Sequence, residues 1–473
     1  MRQHPSPRSR RRAAPTAAVA CALALIMTAC GNAHDNNGAT GTSTGGPVTT
    51  FTGHNFSKHV TVDAPGVTAN EIHVGSITSK TNPLGNDASL LNDGIEAYFN
   101  VVNASGGVWG RKLKLTSTRD DQTANNATET EALLAQDNVY AAFEASVLFT
   151  GASKLAAAGI PTFGWNINAE WAGPKNFFPN VAPICFAGCS NLTHILPWAV
   201  HQSGAHRVGV LAYNVAQSSD AMKGAIAAIQ KFGRSVDARL VFSDLSLQFG
   251  QTDFSAQVAQ LKAKHVDFLV TGLDFNGDYA VAKEMQRQGI VHDVTFLHPN
   301  LYNAEFVRQH ADVFDGGIVL AGILAAEHKP APPALQQYLD YARTHNVAIT
   351  EMTEQGWLAA RQFVEALKAA GPNFTWANLV SAWNQQQWFT NGGLAPPIDW
   401  RVQHNDPSKG VQYRSPFECA NFVRIKNGRF VGIWDDGGTK PFVCANGRKP
   451  EERQTPVNVS FDGKPFEITD VLK

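Results

Sequence analysis

Two periodicities alternate along most of the chain. Short apolar runs at Ile72–Ile77, Leu113–Leu115, Val139–Phe143 and Ile160–Gly164 predict strands, and between the first two Leu91, Ile95, Phe99 and Val102 recur at helical spacing. Helices over Ala124–Gln136 and Phe149–Ala158 fill the remaining gaps. A β-α-β-α order of this kind gives parallel strands with helices on both faces. The pattern then repeats. Strands at Val208–Leu211, Leu240–Phe242, Phe268–Thr271 and Val294–Leu297 alternate with a stripe of Ala221, Ala225, Ile226 and Ile229, a second stripe of Phe254, Val258 and Leu261, and a helix over Tyr279–Gln288. The fold class is therefore α/β, with two doubly wound, Rossmann-like units over about 70–190 and 191–325. Helices over Pro333–Thr344, Thr353–Ala370 and Trp376–Trp383 read as a return to the first unit (326–400). Aromatic and β-branched strands near 411–434 read as a return to the second (401–448). The polar tail, 449–473, is expected to add little core.

Composition changes this picture mainly at the N-terminus. The chain has 473 residues, 44% apolar and 17% charged, enough for two to four domains of about 150 residues each. Its 39 Lys and Arg against 40 Asp and Glu leave no basic field for nucleic acid. That balance is an average over unlike parts. Arg2, Arg8, Arg10, Arg11 and Arg12 precede any acid, so residues 30–473 hold 34 basic groups against 40 acidic. The apolar run from Ala17 to Ala29 is too short for a ~30 Å hydrocarbon core and ends at Cys30-Gly31, which reads as a secretory signal over residues 1–29. Met27-Thr28-Ala29-Cys30 resembles a bacterial lipobox, which implies that Cys30 is lipidated. Residues 30–69 then form a tether and lead-in. The Gly/Thr/Asn-rich stretch 31–50 has too little apolar surface to fold, and a tether of ~20–40 such residues reaches about 25–35 Å. The expected location is the outer face of the cell membrane, held by lipid.

The cysteines fit an oxidising compartment. Cys185, Cys189, Cys419 and Cys444 remain after the signal and Cys30, an even number that reads as disulfides. Sequence proximity favours Cys185–Cys189 and Cys419–Cys444, though three connectivities are open. A metal or redox role for Cys185–Cys189 lacks a third ligand and the two-residue redox spacing.

Several segments carry a family resemblance. Residues 74–123 run from a strand through a helix ending in Asn103-Ala104-Ser105-Gly106-Gly107, then Gly110-Arg111 and a strand leading to Asp120-Asp121. Residues 251–272 contain an Asp-Phe-Ser helix start and a following strand, and EALKAAG (365–371) and TNGGL (390–394) complete the set. Together they resemble the solute-binding proteins of ABC importers related to the branched-chain amino-acid receptor. The resemblance implies the type I periplasmic binding protein fold, two lobes joined by a multi-strand hinge. It also implies a monomeric receptor, partnered by a membrane permease, that needs no cofactor and no metal. The Asn103–Arg111 motif reads as structural, its glycines supplying a left-handed turn that Arg111 covers. Asp120-Asp121 reads as a cap for the next helix.

A ligand belongs beyond the carboxyl ends of parallel strands, where helix N-termini present free N–H groups. In the first unit those loops offer Leu84 (in Asn82-Pro83-Leu84-Gly85), Ser146, Trp165 and Asn166. Ser146 reads either as the hydroxyl at which the resembling receptors accept a ligand carboxylate or as an N-cap. In the second unit they offer Gln217, Asp274, Phe275, Asn300 and Tyr302. Here the chain departs from those receptors. The loop that supplies them with an acid for the ligand ammonium reads His298-Pro299-Asn300-Leu301-Tyr302, and Gln217 replaces a common aromatic. Asp274 reads either as a substitute acid or as a helix cap.

Trp165, Phe275 and Tyr302 suit an apolar pocket. The expected ligand is amino-acid-like, or a small carboxylate or aromatic compound. The alternative role is a sensor of the same fold that signals to a membrane partner. An exported hydrolase is disfavoured, since the sequence has no G-x-S-x-G, H-E-x-x-H or P-loop motif. Histidines such as His201, His206, His292 and His298 lack metal-site spacing and read as solvated or capping.

Overall fold

The computed structural model describes residues 56–82, 87–180, 194–386, 389–396, 398, 400–404, 419–435, 437, 438, 441–444, 457–459 and 465–467. Leu84, Cys30, Cys185 and Cys189 lie outside the described residues. The first lobe is built on a five-stranded sheet of β1 (Glu71–Thr78), β2 (Lys112–Asp120), β3 (Ala141–Ala145), β4 (Thr162–Gly164) and β5 (Phe177–Pro179), in the order β2-β1-β3-β4-β5. Every pairing in it is parallel. Residues of β3 are buried throughout, as a central strand covered on both faces requires.

The second lobe repeats this order with β6 (Arg207–Tyr213), β7 (Arg239–Leu247), β8 (Phe268–Gly272), β9 (Thr295–His298) and β10 (Ile318–Ala321). Here the sheet runs β7-β6-β8-β9-β10 and continues through the antiparallel β11 (Cys419–Lys426) and β12 (Arg429–Gly432). A last short strand, β13 (Val443–Cys444), pairs β11 with Cys419 directly opposite Cys444. In the polar tail, two three-residue strands, Val457–Val459 and Pro465–Glu467, pair only with each other.

Three helices that follow β10 in the chain return to the first lobe. They are α10 (Pro333–His345), α11 (Glu351–Ala370) and α12 (Trp376–Trp383), and their apolar residues share one core with α1 (Leu90–Ala104), β1 and β3. Phe363 of α11 sits at the centre of an aromatic cluster with Phe99, Phe143 and Phe163, at ring separations of 6.1, 5.8 and 5.5 Å. No described helix is long and apolar enough to cross a membrane.

The Asn103–Arg111 segment is structural, as its composition indicated. Gly106 and Gly107 adopt φ of 104° and 82°. Arg111 is buried, and its guanidinium donates to the carbonyls of Thr68, Trp109 and Val60. Asp120 and Asp121 do not cap the next helix, α2 (Asn126–Gln136), whose N-cap is Asn125. Asp121 instead accepts from Ser79 Oγ at 2.7 Å and Asp120 from Thr81 Oγ1 at 2.6 Å, tying the loop after β1 to the loop after β2.

Candidate functional site

One cavity of about 150 Å³ lies where the carboxyl ends of both sheets meet. The first lobe contributes Val147 after β3, Trp165 and Asn166 after β4, and Glu351 and Gln355 from the first turns of α11. From the second lobe come Tyr213 at the end of β6, Gln217 on α5 (Ala216–Phe232), Asp274 and Phe275 after β8, and Asn300 after β9. Six residues expected from the sequence thus line one space: Trp165, Asn166, Gln217, Asp274, Phe275 and Asn300.

Local backbone geometry explains how Trp165 gets there. Gly164 ends β4 at φ 152°, and a Cβ built on it would stand 2.0 Å from the Glu144 carbonyl oxygen. The same carbonyl accepts from the Trp165 N–H at 2.9 Å, so the chain leaves the sheet at this residue and the indole faces the cavity. The second lobe uses a hydroxyl for the same purpose. Ser218 Oγ accepts from the Tyr213 N–H at 2.8 Å and donates to the Gly272 carbonyl at 2.6 Å, joining the ends of β6 and β8 at the start of α5. Asn300 donates to the Leu273 carbonyl at 3.2 Å.

Asp274 is the helix cap that one of its two readings expected, and it also faces the cavity. It lines the cavity and is the N-cap of α7 (Phe275–Arg287), accepting from the Gly277 N–H at 2.8 Å and from the Tyr213 hydroxyl at 2.9 Å. Burial raises its pKa above the ordinary carboxyl value, while those bonds pull the other way. Glu351 was missed in the sequence. Burial raises its pKa to about 7, opposed by hydrogen bonds from Trp165 and Gln355. Acids in a helix's first turn ordinarily complement the dipole, so the sequence signal for Glu351 looked unremarkable.

Two expected residues stand elsewhere. Ser146 is buried behind the wall, where its Oγ accepts from Asn126 Nδ2 at 2.9 Å, and it is not among the cavity-lining residues. Nor does it cap a helix, because α3 (Ala152–Ala158) has Gly151 as its N-cap. Tyr302 turns into the second-lobe core, its ring stacked on Phe430 at 4.9 Å and its hydroxyl donating to Glu327 at 2.6 Å. His298 is neither solvated nor capping. It is buried with Nδ1 2.9 Å from Asp278, whose other oxygen accepts from Thr271 at 2.6 Å. His201, His206 and His292 are exposed, as expected. Among the described residues no group of three His, Cys, Asp or Glu is placed to hold a metal ion.

The arrangement can enclose a small molecule with an apolar body. Comparison with known proteins agrees. The family model for periplasmic binding proteins matches residues 71–429. A fatty acid ABC transporter substrate-binding protein from Thermomonospora curvata superposes with a TM-score of 0.62 at 17% identity, over 78% of this chain and 93% of its own. A branched-chain amino acid ABC transporter protein from Thermus thermophilus, with bound valine, gives 0.58 at 17% identity, over 77% and 95%. A solute-binding protein from R. palustris in complex with benzoate gives 0.56 at 16% identity, over 77% and 96%. A search of the curated proteins finds no match. The chain belongs to the periplasmic binding protein family.

Proposed function

We propose that this protein captures a small molecule between its two lobes outside the cytoplasmic membrane and delivers it to the permease of an ABC importer. The observation that carries this reading is the cavity itself, lined from both lobes at the carboxyl ends of two parallel sheets. A solute that touches both lobes favours the closed arrangement by its differential affinity, and a hinge motion follows from that alone. The protein binds and releases its cargo without catalysing a reaction. A thermal-shift screen across amino acids, amides, aromatic acids and amines is the test. A solute at 100 times its Kd adds about 2.7 kcal/mol to the folded state, and the melting midpoint rises accordingly. A panel of that breadth leaving the midpoint unmoved would count against a receptor.

The anchor and the cross-links belong to the same proposal. Cys30 follows the short apolar run and carries the lipid, and Cys419 is buried opposite Cys444 in adjacent antiparallel strands. Mass spectrometry of the exported protein should find a lipid-modified Cys30 at the N-terminus and a non-reduced peptide joining Cys419 to Cys444. An unmodified Cys30, or free thiols at both positions, would contradict it.

A further inference from the structure

The chemistry of the cavity wall narrows the solute class, on the reading that the cavity is the solute site. Among the described residues that line it there is no Lys, Arg or His, while two carboxyl groups, Asp274 and Glu351, come from opposite lobes. The remaining polar lining is mostly amide and hydroxyl, and Trp165, Tyr213, Phe249 and Phe275 supply aromatic surface.

Helix N-termini are where an anionic solute would ordinarily be held. Two of those at this cavity are already matched by acids of the chain. Asp274 takes the Gly277 N–H of α7 at 2.8 Å. The first turn of α11 carries Glu351 and Glu354, and its Thr350 cap accepts from the Thr353 N–H. Ser146, the hydroxyl expected to receive a carboxylate, is engaged by Asn126 behind the wall.

We propose that the solute is a protonated amine with an apolar or aromatic body and no carboxylate, bound by Glu351 of the first lobe and Asp274 of the second. A carboxylate solute would bring a further acid to a wall that already holds two carboxyl groups and, among its described residues, no cation to meet it. An ammonium gains two carboxylates and the faces of the aromatic rings. This class departs from the valine and benzoate named for two structural relatives.

The pH dependence of binding follows from the groups around Glu351. It is joined by the Trp165 indole and the Gln355 amide. Glu354 lies one turn further along α11, buried with neither carboxyl oxygen hydrogen-bonded among the described residues; burial raises the pKa of Glu354, and the nearby Glu327 and Glu351 add to that. Glu327 in turn accepts from the Tyr302 hydroxyl, and Asp274 from that of Tyr213. Burial leaves Glu351 protonated in part at neutral pH, raising its pKa to about 7 against the hydrogen bonds from Trp165 and Gln355. An ammonium requires it ionised, so affinity for an amine should rise from pH 6 to pH 8. A carboxylate would show the opposite trend.

Titration calorimetry of the full-length protein with phenethylamine, benzoate and leucine, at pH 6 and pH 8, tests this. Phenethylamine should bind at least about tenfold more tightly than either carboxylate, more tightly at pH 8, and about 10- to 100-fold more weakly to E351Q. The comparison of the three probes on unaltered protein does not depend on how the variant folds. Benzoate or leucine binding as tightly as phenethylamine would overturn the amine class while leaving a solute receptor in place. Failure of phenethylamine to bind would also overturn it, and the broad melting screen then judges the receptor reading separately.

Discussion

Gly356→Ala should destabilise the first lobe by about 3 kcal/mol or more, although alanine in a helix is intrinsically better than glycine by about 1 kcal/mol. Helices α1 and α11 meet at Gly94 and Gly356. A Cβ on Gly356 would lie 1.9 Å from the Leu91 carbonyl oxygen, and one on Gly94 would lie 2.0 Å from the Thr353 oxygen. Both obstacles are backbone atoms, so no side chain can rotate away and the helices must separate. Separation loosens the edge contact between Tyr98 and Trp357, 5.0 Å apart, and the packing of Phe363 on Phe99. The expected fall in melting midpoint is about 6–12 °C, taking roughly 2–4 °C per kcal/mol for a domain of this size. Gly106→Ala is a useful contrast: nothing lies within 4 Å of its Cβ position and only the positive φ opposes it, so its cost should be near 1 kcal/mol. A G356A protein melting within a degree or two of the unaltered chain would mean that these helices do not pack as described.

Trp165→Ala is expected to weaken solute binding by about 2–4 kcal/mol, or roughly 30- to 1,000-fold in Kd. The indole is half-buried on the cavity wall and comes from the first lobe, while most of the other lining aromatics come from the second. Its removal takes away apolar surface at the centre of the site and also the hydrogen bond that favours ionised Glu351. Because the ring is only partly buried against the first-lobe core and also lines the cavity, the melting midpoint of the empty protein should change less than solute affinity. Calorimetric titration with whichever solute most raises the wild-type midpoint measures the effect. Equal affinity in W165A would remove this wall from the site.

Much of the scaffold was legible because buried parallel strands give continuous apolar runs and the covering helices give clear stripes. Strand β1 and helices α2, α11 and α12 fall where periodicity places them, within two residues at their ends. The misses have local causes. Strand β5 is only Phe-Phe-Pro, β10 is four residues long, and helix α4 (Ile195–Gln202) contains Pro197, which reads as a breaker although it stands in the first turn. Strand β3 begins two residues later than expected because Val139 and Tyr140 are buried ahead of it, and it includes Glu144, an acid that interrupts the apolar run.

The site was legible as far as its loops were. Strand ends located Trp165, Asn166, Gln217, Asp274, Phe275 and Asn300 without any contact information. Side-chain direction was not in the sequence, so Tyr302 and Ser146, in the right loops, turn inward to partners in their own lobes. Glu351 and Gln355 reach the cavity only because α11 returns to the first lobe with its N-terminus at the cleft, a tertiary fact that no local pattern encodes.

The central claim is that one small molecule sits between the two lobes, against surfaces from both. Titration calorimetry of the full-length protein with the strongest solute from the melting screen, repeated at several temperatures, measures this most directly. The account predicts one site per chain and a negative heat-capacity change from apolar burial. Several weak sites per chain, or a heat-capacity change near zero, would contradict it.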